Sequence, residues 1–524
     1  MNMNTGHDSL RARPEHISEV LLGDDDISIE EFIAVAKHGA KVRFSQKYCE
    51  RVSRSRMLVE RFLEENRLVY GVTTGFGDNS TRVIRPEEAE DLQRNIVRSH
   101  AVSVGAPLPR EVVRATQLMI LNSLGKGYSG VTLDLLQQIA ELLNNGITPV
   151  APGDGSVGYL GPEAHLALVL IGEGEATYGD ERMSGLEALQ KAGLKPHTLR
   201  CKEGLALVNG TTSVTAIGML ALHNALEASK VADIAAAMSL QPLKGTTRSL
   251  DARYHSVKKH QDQSNAADNL RRILAGSALT ERFVDYRLQD TYSLRAMAQV
   301  HGASKRAIND AREAILDEVG SCGDNPVIYP QEGDGLAISG ANFDGTFVGI
   351  ASDLLCIAMT NLAKISERRT DRLVNPHFSE LPAFLAPRPG LNSGYMIVQY
   401  TAAGLLGEMR ILSHPASVDS VSTSGNQEDP LSFAYLAARK AYETSQKLQH
   451  VLAIELMVAT QALDFFDPAD ASPATAAVYA RIRQKVPKVE DDRFFHPDMV
   501  HIHELVTQGD LLSVVENITG ALHE

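Results

Sequence analysis

Five long stretches of this chain carry apolar residues at spacings of three and four: Ser213 to Leu240, Ser293 to Val319, Thr346 to Leu373, Tyr395 to Leu412 and Phe433 to Phe466. That spacing lines one face of a helix with apolar side chains. The first stretch is also rich in alanine, the strongest helix former. Alternating strand patterns are scarce, aromatic residues are few and tryptophan is absent. The pattern predicts a mainly α protein built on a long central helical bundle. Polar, glycine-rich words fall in the loops between these stretches, where rigid elements commonly present functional groups.

The formal net charge is −14, which argues against a nucleic-acid or anionic-membrane surface. Cys49, Cys201, Cys322 and Cys356 are scattered and form no Cys-x-x-Cys pair, so neither a disulfide framework nor a zinc ribbon is expected. A reducing, cytoplasmic setting fits best. Met1 to Arg13 is polar, and no run is expected to reach the ~20 apolar residues of a membrane span. Residues 1–26 read as a flexible polar arm. Residues 27–204 read as a loop-rich N-terminal region, and 205–524 as the central bundle with C-terminal helices, the two forming one catalytic unit. Within the N-terminal region, Ser28 before Glu30-Glu31 signals a helix start. Ser45 to Glu65 and Pro86 to His100 read as helices, and Arg110 to Asn145 as two helices broken around Gly125 to Gly130.

Two charged stretches invite other readings. His496, His501, His503 and Glu504 cluster in sequence, but their spacing is not the His-Glu-x-x-His of a helical zinc site; a solvated surface is expected. Glu367 to Arg372 reads as an exposed or subunit-facing ion-pair run of small energetic weight.

The loop words carry the chemistry. Tyr70-Gly71-Val72-Thr73-Thr74-Gly75-Phe76-Gly77 is too glycine-rich for a helix and lacks a P-loop ending. Gly155-Ser156-Val157-Gly158 runs into Tyr159-Leu160-Gly161-Pro162-Glu163-Ala164-His165. Then come Asn209-Gly210-Thr211, Gln289-Asp290-Thr291-Tyr292-Ser293-Leu294-Arg295, Asp324-Asn325-Pro326, Asn342-Phe343 and Asn426-Gln427-Glu428-Asp429. Each alone reads as a turn. Together and in this order they resemble the aromatic amino acid ammonia-lyase and aminomutase family, nearest its histidine-specific members. In that family Gly-Ser-Val-Gly is followed by Ala-Ser-Gly, which cyclises to the electrophile 4-methylideneimidazol-5-one. The tripeptide does not appear at this place in the chain, and Tyr159 stands where the family usually has aspartate. The resemblance implies the ring between Gly158 and Tyr159, as a matured residue outside the standard alphabet. The competing expectation is a chain without the triad, an inactive helical scaffold.

The resemblance implies ammonia elimination from an aromatic L-amino acid. The ring bonds the amine and withdraws its electrons, which is covalent catalysis. Tyr70 is by resemblance the base for the β-proton. A free tyrosine has a pKa of ~10, so its anion needs nearby positive potential. Tyr292 helps position ring and base, and Asn209 partners the ring carbonyl. Arg295 is the fork for the substrate carboxylate. Gln289, Asn325, Phe343 and Gln427 line the site. Ser99-His100 and Glu428 sit at the selectivity positions and match the imidazole-specific members. Pro430 departs from their usual histidine. The expected reaction is L-histidine to trans-urocanate. The alternatives are a 2,3-aminomutase or a tyrosine or phenylalanine ammonia-lyase. The family further implies a homotetramer with sites shared between subunits, and no metal.

Overall fold

The computed structural model describes residues 13–75, 77, 82–85, 88–330 and 335–524. It is mainly helical, and the five long patterns appear as helices Thr212–Leu240, Met297–Val319, Thr346–Val374, Met396–Leu412 and Ala434–Leu463. Two compact units emerge. The first comprises Met1–Leu220, Glu313–Ala351 and Ala416–Arg439; the second comprises Ala221–Arg312, Ser352–Pro415 and Lys440–Glu524.

The first unit is built around helix Arg110–Leu124, in which every residue from Val112 to Leu124 is buried. Helices Ile29–Ala36 and Leu133–Asn144 pack on it. The first of these starts where Ser28 accepts from Glu31 N while the Glu31 carboxylate accepts from Ser28 N at 2.9 Å. This reciprocal cap satisfies two backbone donors that a helix start leaves open. The break after Leu124 is enforced by Gly127, at φ 81° and with Arg51 O only 2.8 Å from where a Cβ would sit. Within the arm read over 1–26, Glu19–Leu22 forms a strand paired in parallel with Lys41–Phe44. A three-stranded sheet, Thr148–Pro149, Glu175–Tyr178 and Glu181–Ser184, flanks helix Glu163–Leu170, whose residues contact its first strand.

In the second unit, polar bonds stitch the long helices. Asn224 donates to Ser445 Oγ at 3.0 Å, and His301 Nδ1 meets Asp233 Oδ1 at 2.6 Å. Arg369 forks onto Glu455 at 2.5 and 2.9 Å, and Ser239 donates to the same carboxylate at 2.7 Å. These contacts correct the reading of Glu367 to Arg372 as a surface run, because Glu367, Arg369 and Thr370 are all buried. Periodicity along one helix shows only which residues share a face; the carboxylate answering Arg369 lies 86 positions away.

Helices Pro473–Arg483, His496–Thr507 and Asp510–Thr519 close the chain. His501 and Glu504 pair at 3.6 Å, and His503 stacks on His450 with ring centroids 3.8 Å apart. Burial, and secondarily the His450 charge, push the His503 imidazole down to about 4. Among the described residues no three His, Cys, Asp or Glu side chains gather as a metal site. Two helical stretches, Glu203–Leu240 and Thr346–Val374, are long and apolar enough to cross a membrane, contrary to the reading of the sequence. The apolar window of the first is 94% buried inside the protein, and that of the second 61%.

Candidate active site

Tyr70 lies in the turn between helices Gln46–Glu64 and Ala89–His100. Its phenol oxygen accepts from Gly77 N at 2.8 Å. Thr73 holds the turn by donating to Arg67 O at 2.7 Å while accepting from Val69 N at 2.8 Å. Phe76 of the same word lies outside the described residues. Gly71 is required here: its φ is 62°, and a Cβ would meet Leu205 at 2.3 Å. Ser99 and His100 end the following helix, with His100 Nδ1 2.8 Å from Ile96 O. Burial lowers the His100 pKa, opposed by the Ile96 carbonyl and then by the Glu428 charge.

The signature loop is clipped on itself. Gly158 N donates to Ser156 Oγ at 3.3 Å, and Ser156 Oγ donates to Tyr159 O at 3.1 Å. Gly158 has φ 136°, and Leu160, with a side chain, is held at 55°. Strain of this kind costs of order 1–3 kcal/mol and persists only where neighbours over-determine it. One such neighbour is Glu163, buried at the start of the next helix. Its carboxylate accepts from Gly161 N, Thr212 Oγ1 and Ser213 N at 3.2, 3.0 and 2.9 Å. The Tyr159 ring is 4% exposed and meets Phe343 edge-on at 4.8 Å. Burial and then the nearby Glu428 carboxylate raise its pKa well above the ordinary value.

Glu428 itself sits in a loop closed by Thr423 N to Glu428 O at 2.9 Å, and Thr423 Oγ1 donates to Glu428 Oε2 at 3.1 Å. Gln427 is exposed beside it. Ser424, Gly425 and Asn426 all have left-handed backbones. Asn209 caps helix Glu203–Val208 and donates to Asn325 O at 3.3 Å. The Asn325 loop is anchored by a buried ion pair between Lys202 and Asp324 at 2.7 Å. Thr423, Lys202 and Glu163 were not singled out in the sequence. A lysine two residues before a fully apolar run was the one available signal for Lys202.

In the second unit, Gln289, Tyr292 and Arg295 form a separate exposed group, with Tyr292 69% exposed. The Gln289 amide oxygen accepts from Arg295 at 2.8 Å, and the guanidinium lies 5.2 Å from the Tyr292 ring centre.

The family description "Aromatic amino acid lyase" matches residues 27–484. The chain belongs to the aromatic amino acid lyase family. It is 47% identical to a histidine ammonia-lyase of Symbiobacterium thermophilum over 95% of this chain and 98% of that one. Among solved structures, a histidine ammonia-lyase from Trypanosoma cruzi superposes with TM-score 0.90 at 35% identity, covering 95% of each chain. A tyrosine aminomutase from Streptomyces globisporus does so with TM-score 0.92 at 33% identity, covering 96% of this chain and all of the other.

The family uses the 4-methylideneimidazol-5-one ring. The residues present in this family member do not fit it. Gly158 is bonded directly to Tyr159, so the alanine carbonyl and glycine nitrogen that must join are not there. The Ser156 clip closes the loop without slack. A Cβ on Gly158 would come within 2.5 Å of Ser432 Oγ. Asn209, expected to partner the ring carbonyl, donates to Asn325 instead.

Proposed function

We propose that this chain is a carbon–nitrogen lyase that eliminates ammonia from L-histidine to give trans-urocanate. The observation that carries the reading is the 47% identity to a histidine ammonia-lyase over 95% of this chain; His100 and Glu428 lie in the same unit, and the carboxylate's charge raises the imidazole's proton affinity against burial. A histidine side chain offers two ring nitrogens, and a carboxylate with an adjacent imidazole can partner both. A benzene ring in the same place would offer the half-buried Glu428 charge no donor of its own. The high identity to histidine ammonia-lyases supports the same substrate.

In this reading Tyr70 takes the β-proton, and Gly77 N, donating to its oxygen, holds that oxygen in place. Arg295 forks onto the substrate carboxylate, and Gln289 holds that guanidinium in place. Tyr292 packs beside the same guanidinium. Gln289, Tyr292 and Arg295 are exposed in the single chain, which supports a homotetramer in which copies complete one another's sites. Free cysteines throughout the described chain support a cytoplasmic location. The likeness to a tyrosine aminomutase favours a second reading, migration of the amine to Cβ on the same scaffold.

One experiment separates these. Histidine, tyrosine and phenylalanine are incubated side by side while ultraviolet absorbance and free ammonia are followed. Histidine should give both signals, the others little. A β-amino acid without ammonia establishes the mutase, and a preference for phenylalanine or tyrosine overturns the histidine assignment.

A further inference from the structure

The second unit holds a cavity of about 270 Å³ beside the Gln289, Tyr292 and Arg295 group. Gln289 borders it, but Tyr292 and Arg295 do not line it. Two guanidinium groups do, those of Arg287 and Arg372. Burial, and then the Arg287 charge, lower the Arg372 pKa from its ordinary value. Two cations facing one space repel unless a negative group joins them.

The acids of the chain answer one of these cations and leave the other open. Arg287 Nη1 donates to Leu243 O at 2.8 Å, and Nη2 donates to Glu380 at 3.2 Å. Glu380 also accepts from Lys244 Nζ at 2.6 Å, so two cations share its charge. Asp371, next to Arg372 in the chain, pairs with Arg368 at 3.6 Å. Asp290 lines the cavity, but it is buried and its Oδ2 accepts from Thr246 N at 2.7 Å. Burial raises its pKa, so its charge is held less firmly than that of an ordinary aspartate.

Arg372 itself makes no hydrogen bond or ion pair among the described residues. Its guanidinium stacks on Phe378, 4.4 Å from the ring centre. Stacking orients the guanidinium plane while leaving its N–H edge free to donate. Thr291, on the same wall, uses its hydroxyl for no helix cap. An open fork, a second cation and a hydroxyl donor are the groups that recognise a tetrahedral oxyanion.

We propose that this cavity binds a phosphate-type oxyanion, with Arg372 as its fork, Arg287 as its second charge and Thr291 as a neutral donor. A doubly charged phosphate answers both cations, whereas a simple carboxylate answers one. The net charge of −14 disfavours anions over the molecule as a whole, so affinity for phosphate has to come from a local site. Asp290 and Thr291 lie between Gln289 and Arg295 in the chain, so the occupant touches the segment that carries the carboxylate clamp. The inference goes beyond the histidine reading and does not depend on it.

The test is equilibrium dialysis of the full-length protein against radiolabelled inorganic phosphate, at constant ionic strength set with chloride. One phosphate per chain should bind, with Kd of about 1 mM or tighter. Acetate should compete at least about tenfold more weakly. Arg372→Gln should weaken binding about tenfold or more while leaving the melting temperature without phosphate in place. Arg372→Lys keeps the charge and loses the fork; it should weaken binding about threefold or more, and it carries the test if the glutamine variant fails to fold. Arg295→Lys should bind phosphate as the wild type does. Absence of saturable binding, equal competition by acetate, or unchanged affinity in the Arg372 variants overturns the site. Loss of binding in Arg295→Lys overturns it too, by placing the phosphate in the substrate clamp. Failure to turn over histidine would remove the substrate assignment and leave this measurement standing.

Discussion

Two glutamates divide the labour of charge in this molecule. Glu455, in the second unit, is fully buried and receives both prongs of Arg369 and the hydroxyl of Ser239. Glu428, in the first, is half-buried and held by the Thr423 hydroxyl in a loop whose backbone is left-handed at Ser424 and Asn426. The first carboxylate is neutralised by a cation on an adjoining helix, so it serves architecture. The second is oriented by a neutral donor, and no cation is paired with it by a salt bridge among the described residues. Rigid helices can hold a closed ion pair; strained loops are where a protein stores an interaction it has yet to make.

The contrast yields opposed signatures on mutation. On the loop side, Tyr70→Phe removes the proton acceptor and should lower kcat by roughly 10²–10⁴-fold with melting temperature unchanged. Measurable wild-type turnover in that variant removes Tyr70 as the base. On the bundle side, Arg369→Met strands the Glu455 charge and should cost roughly 3–5 kcal/mol of stability. Denaturant titration reads this, and the folded fraction should retain its specific activity. A loss of activity without destabilisation would erase the distinction between the two regions.

Two smaller effects sharpen it. Arg295→Lys replaces a two-pronged fork by a point charge and should raise KM for histidine about tenfold with a lesser change in kcat. An unchanged KM places the carboxylate clamp elsewhere. The His450–His503 stack supplies the pH term. The folded His503 value lies near 4 against an ordinary 6.5, so the unfolded chain binds the proton more readily. The contribution is therefore fully present above about 6.5 and is lost as pH falls toward about 4. Melting temperature should decline over that window, and His503→Phe should flatten part of the decline. A slope untouched by the substitution assigns the loss to other groups.

The helices were legible because a period of three and four is local: Thr212–Leu240 begins one residue from where the apolar spacing placed it. The site words were legible because Tyr70, Asn209, Asn325 and Glu428 stand in a recognisable order. Partnership was not legible. Nothing local pairs Arg369 with Glu455, so a run of charges along one helix resembles a surface stretch. Nor does the order of words reveal that Tyr159, which follows the signature glycine, turns inward onto Phe343 and Glu428.

The sequence by itself determined the helical class, the family and the missing Ala-Ser-Gly, because each is a property of residues adjacent along the chain or of their order. Only the tertiary structure decided which charges are cancelled and which are left open. Burial and hydrogen-bond donors come from segments hundreds of residues apart, as Tyr159 and Glu428 do, and a carboxylate's strength depends on what is folded against it.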